Sequence, residues 1–131
     1  LAGGLALANA GLGAVHGLAG VIGGVTGAAH GAICGVLLPP VLAANREAVP
    51  ADSVARARLD WVAGEIAAVY GGIDGLAGWA QSHGLKGLTT LGASPDLRPE
   101  IAAKAQRASS MAANPVQLTD AALIEIMAAA G

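Results

Sequence analysis

The first 45 residues of this chain carry no Asp, Glu, Lys or Arg; the first ionised side chain is Arg46, and every other one follows it. A segment that avoids charge on all helical faces is buried on all faces, either in the centre of a larger protein or in a bilayer. Alanine and glycine dominate, Phe is absent and aromatic residues are 2% of the chain. The core must therefore be built from small side chains and closely approaching backbones, which favours tightly packed helices.

The bilayer is the rival reading, because glycines recur every four residues at Gly13 and Gly17, Gly20 and Gly24, and Gly27, Gly31 and Gly35. That spacing suits helix contacts in lipid. A spanning helix needs about 20 mostly apolar residues, whereas Gly23 and Gly24 interrupt the stretch between His16 and His30, and Pro39 and Pro40 end the next run early. Flanking aromatic anchors and a basic cluster are also missing. We expect no membrane association.

With 131 residues, the chain has the length of one domain. Its net charge of -2 and pI of about 5.8 leave no basic footprint for nucleic acid. Cys34, the one cysteine, excludes an internal disulfide, fits the reducing cytoplasm and reads as a small buried hydrophobe. No basic n-region opens the chain, so Leu1 does not begin a signal peptide. "LAGGLALANAGLG" is apolar from its first residue without a cap, as if the chain began inside a helix, and it reads as part of a longer protein.

A helix is expected over residues 1 to 13, then a glycine-punctuated stretch from Gly17 to Gly27. A buried helix should follow from about Ala28 to Ala43, with Pro39 in its last turn or at a kink. "VPADSVARARLDWVAGEIAAVYGG" predicts an amphipathic helix capped by Asp52 or Ser53 and stopped by Gly71 and Gly72. Its apolar stripe is Val54, Leu59, Val62, Ile66 and Val69. A shorter helix should run from Asp74 to Ser82. Another should start near Arg98, with Pro99 in its first turn, and break at Asn114 and Pro115; Thr119 should cap the last. No stretch alternates as a strand would. The expected fold is all-α, a helical bundle.

His16 and His30 are two imidazoles in a segment that holds no acid or base. On a continuous helix they would be roughly 21 Å apart, so one ion can bind both only if the chain reverses between them. Gly23, Gly24 and Gly27 are where it can. Two histidines are too few for a closed site, and no carboxylate lies in the first 45 residues, so further ligands must come from elsewhere. His83, beside Gly84 at a helix end, reads as a histidine bonded to backbone carbonyl.

"GLGAVHGLAG" followed by "AAHGAICGVLLP" resembles the paired signatures of the iron-containing alcohol dehydrogenase family, whose last two metal-binding histidines are separated as His16 and His30 are. "GLKGLTTLGASPDLRPEIAAKAQRASSMAANPVQLTDAALIEIM" is similar to the family's C-terminal helices, so the resemblance covers nearly the whole chain. Maleylacetate reductases are close relatives. Glycerol dehydrogenases and dehydroquinate synthases are more distant.

The resemblance implies that residues 1–131 are a C-terminal all-helical metal-binding domain. The N-terminal α/β domain, which would bind NAD or NADP, is absent from this chain. It implies His16 and His30 as ligands of Fe(II) or Zn(II), completed in relatives by an upstream Asp and His. The metal would be a Lewis acid in interconverting an alcohol and an aldehyde or ketone, or in the related maleylacetate reductase reaction. The implied partners are the small alcohol or aldehyde substrate, the missing N-terminal domain and a second copy in a homo-oligomer. At Gly20 the family usually has a histidine near the nicotinamide, so no proton relay carries over to that position; after "LLP" it often has His where Pro40 stands. The 131 residues alone should neither bind nucleotide nor turn over substrate. The competing function class is a non-catalytic Gly/Ala-rich helical module that packs on a partner or on lipid.

Overall fold

The computed structural model describes residues 12–131. Among the described residues there are six α-helices: α1 (Ala14–Thr26), α2 (His30–Ala48), α3 (Val54–Tyr70), α4 (Ile73–Ser82), α5 (Arg98–Ala105) and α6 (Asp120–Ala129). Two short 3-10 turns, Pro95–Leu97 and Ser109–Ala113, flank α5, and no strand occurs among the described residues. The all-helical expectation holds. The helix expected over residues 1 to 13 lies almost wholly outside the described residues, and Gly13 is extended.

The glycine-punctuated stretch is itself α1, contrary to expectation. Its interior glycines each disfavour helix by about 0.8–1.0 kcal/mol relative to Ala, yet Ala14, Leu18 and Ile22 recur every fourth residue and all three are buried. Burying a Leu or Ile side chain contributes about 1.5–3 kcal/mol, so packing outweighs propensity. Gly17 faces Met111, whose methyl lies 2.9 Å from where a Cβ would stand; the missing side chain lets the 109–113 turn lie close.

Helix α2 continues five residues beyond the expected end, through Pro39 and Pro40. Proline inside a helix costs about 3 kcal/mol. Here Ile33, Leu37, Val41 and Asn45 form a buried stripe spaced by four, and it extends the helix past the prolines. With α1, α5 and α6 this stripe makes the core, joined by Leu88, Ile101, Leu123 and Met127.

Ser53 caps α3 as expected, its Oγ accepting from the Arg56 backbone N–H at 3.0 Å, and Gly71 ends it in the left-handed conformation at φ 79°. The expected stripe is only partly used. Leu59, Val62 and Ile66 are partly buried, whereas Val54 and Val69 are 70% and 73% exposed, because α3 packs on α2 and α4 at the edge of the bundle. Trp61 is 67% exposed on the same helix.

Arg98 opens α5 with Pro99 in the first turn, but α5 stops at Ala105, well before Asn114. The early stop lets residues 109–114 turn back onto α1. Gln106 marks that turn, its Nε2 donating to the Leu118 carbonyl at 2.7 Å. Thr119 caps α6 as expected, accepting from the Ala122 N–H at 3.2 Å. No described helix is long and apolar enough to cross a membrane.

Candidate metal centre

The connection between α1 and α2 is three residues, Gly27 to Ala29. Gly27 adopts φ 71°, where a side chain would be strained, and donates its N–H to the Gly23 carbonyl at 2.9 Å. Thr26 locks the turn: its hydroxyl donates to the Ile22 carbonyl at 2.9 Å and accepts from the Ala28 N–H at 3.1 Å. Of the three glycines expected to reverse the chain, only Gly27 does so. Gly23 and Gly24 stay helical.

That reversal brings His16, in the first turn of α1, beside His30, the first residue of α2. His16 Nδ1 and His30 Nε2 are 3.1 Å apart, with ring centroids at 5.3 Å and planes inclined by 25°. Two lone pairs that close repel unless a proton or a cation lies between them. Two nitrogens each about 2.0–2.1 Å from one ion would be about 3.3 Å apart at a tetrahedral angle and about 2.9 Å at a right angle. The observed separation lies between these values, so the pair fits a shared divalent cation.

Cys34 is the residue that sequence reasoning passed over. One helical turn after His30, it shares that residue's face of α2, and its Sγ lies 3.4 Å from His30 Nε2 and 3.7 Å from His16 Nδ1. It is half-buried, not the fully buried hydrophobe expected, and partial burial pushes its thiol pKa up. The i, i+4 interval from His30 was the available signal.

Among the described residues no carboxylate joins this group. His30 is exposed and His16 and Cys34 are half-buried, so the donors sit at the surface of the bundle. A cavity of about 500 Å³ lined by Pro39, Pro40, Glu47, Asp74 and Glu125 shares no residue with them. His83 is elsewhere too: its Nδ1–H donates to the Trp79 carbonyl at 2.8 Å and its ring packs on Trp79 at 4.5 Å, the structural role expected of it.

The start of α1 is held by a pair of amide side chains, the buried Asn45 and the half-buried Asn114. Asn114 Oδ1 accepts from the Ala14 N–H at 3.0 Å, satisfying a first-turn donor that Gly13 cannot cap. Asn114 Nδ2 donates to Asn45 Oδ1 at 2.7 Å and to the Val116 carbonyl at 2.7 Å, while Asn45 Nδ2 donates back to Asn114 Oδ1 at 3.1 Å. Asn45 is 5% exposed and ends the α2 stripe. One amide thus ties together both helices that carry the histidines, two residues before His16.

Among curated proteins nothing matches the chain. The family model described as Fe-containing alcohol dehydrogenase family, C-terminal, matches residues 1–131. The family generally binds a metal and NAD(P), and a helical domain with two imidazoles brought together across a glycine turn accords with that match. The chain belongs to the Fe-containing alcohol dehydrogenase family, as its C-terminal helical domain.

Proposed function

We propose that these residues are the metal-holding part of an NAD(P)-linked dehydrogenase that interconverts an alcohol and an aldehyde or ketone, with His16 and His30 as ligands of Fe(II) or Zn(II). The observation that carries the reading is the 3.1 Å approach of the two ring nitrogens from opposite sides of the Gly27 turn. When bound, the cation supplies Lewis acidity toward the substrate oxygen during hydride transfer to or from the nicotinamide. The chain's own part is positional: His16 and His30 present imidazole nitrogens from two helices, and Asn114 and Asn45 fix where α1 begins.

Nucleotide binding and the remaining ligands belong, on this reading, to an upstream α/β domain, and the substrate is a small alcohol or aldehyde in the cleft between the two parts. The related maleylacetate reductase reaction is the other chemistry the family suggests, and Gly20 favours a subgroup in which no imidazole stands one turn beyond His16. A cytoplasmic, homo-oligomeric enzyme is the natural setting.

The test is the metal content of the full-length protein together with NAD(P)-linked oxidation of a panel of alcohols. His16→Ala and His30→Ala should each lose most of the bound metal and the activity. Full metal retention in both variants overturns the ligand assignment. Turnover by the 131 residues alone would contradict the need for a separate nucleotide-binding domain.

A further inference from the structure

We infer that Cys34 is a third metal ligand, so that His16, His30 and Cys34 together present one His2Cys face to the cation; this rests on the histidine pair being ligands at all. The separations of 3.1, 3.4 and 3.7 Å define a triangle whose centre is about 2.0 Å from each donor atom. Bond lengths of about 2.0–2.1 Å for nitrogen and 2.3 Å for thiolate sulfur place an ion close to that centre and in reach of all three. A thiol that merely donated one hydrogen bond would choose one ring. Cys34 Sγ is near both nitrogens at once, which is what a common centre requires.

The helix supports the geometry. His30 and Cys34 occupy successive turns of α2, so their side chains project together, and His16 closes the triangle from α1. Coordination forms a metal–sulfur bond and breaks the S–H bond, and the proton leaves to solvent; no electrons are transferred. Thiolate is a soft ligand, whereas the two imidazoles suit iron and zinc alike. Cys34 therefore biases the site toward zinc and away from iron, in a family described as Fe-containing.

The test uses the full-length protein, stripped of metal and titrated with Co(II) as a spectroscopic substitute for zinc. The wild type should develop a thiolate-to-cobalt charge-transfer band in the near ultraviolet that saturates at one equivalent. Cys34→Ser and Cys34→Ala should lose the band while keeping far-ultraviolet circular dichroism, and should bind Co(II) and Zn(II) tenfold or more weakly. The preference for Zn(II) over Fe(II) in competition should shrink in both. Cobalt bound without that band in the wild type, or a band that survives Cys34→Ser, overturns the Cys34 assignment. If His16→Ala and His30→Ala still abolish cobalt binding, the histidine reading stands in spite of that result. Cobalt binding that none of the three replacements alters overturns both.

Discussion

Asn114→Ala should destabilise the protein far more than a half-exposed polar residue suggests. Four groups lose a partner: the Ala14 N–H, the Asn45 Nδ2–H, Asn45 Oδ1 and the Val116 carbonyl. Ala14 is 1% exposed and Asn45 5%, so the first three are stranded away from solvent. A buried group left unsatisfied costs about 1–3 kcal/mol. Water admitted to the vacated volume recovers part of that, because Asn114 itself is half-buried, and the net loss should be about 3 kcal/mol.

Urea unfolding followed by circular dichroism measures the total, and hydrogen exchange at the Ala14 amide reports the freed helix start. Asn45→Ala with Asn114→Ala leaves no stranded partner amide at position 45, so the double variant should lose less than the sum of the singles by about 1–2 kcal/mol. A loss below about 1 kcal/mol for Asn114→Ala, the range of an ordinary surface change, or strict additivity in the cycle, would refute the view that this pair ties α1 to α2.

Two further perturbations read other parts of the frame. Gly75→Ala drives a Cβ into the Tyr70 carbonyl oxygen at the corner between α3 and α4; backbone must move, and thermal unfolding should show a loss of about 1–3 kcal/mol or more, whereas an unchanged melting temperature would contradict the packing of that corner. Asp60, bonded first to Arg46 and then to Arg56, has its carboxyl pKa held below the ordinary value. Its contribution is therefore present above the unfolded pKa and lost as pH falls through the lower folded one. The stability difference between wild type and Asp60→Asn should accordingly vanish in acid and shrink in salt at neutral pH, and a difference that grows below pH 4 would reverse the sign of the argument.

What could be read from the sequence follows the range of the interaction responsible. Ser53 and Thr119 cap their helices as expected because a cap depends on residues within one turn. Gly17 to Gly24 misled because local propensity argues for a break there, and only Leu18 and Ile22 meeting partners from distant segments outweigh it. Pro39 and Pro40 misled for the same reason: the stripe from Ile33 to Asn45 carries α2 through them. At the site, a reversal between His16 and His30 was legible as a requirement of ligand geometry, but its location at Gly27 was not, since Thr26 and the Gly23 carbonyl select among three glycines. Cys34 shows the sharper limit. Its interval from His30 was visible, yet an i, i+4 pair acquires chemical meaning only when a third donor approaches the same face, and His16 does so only through the tertiary fold. The anchor that sets the approach, Asn114, lies 100 residues from the backbone group it satisfies, at a place where sequence reasoning saw only a helix break. Residues that position a site from the far end of a chain are thus legible only when the packing that recruits them is known.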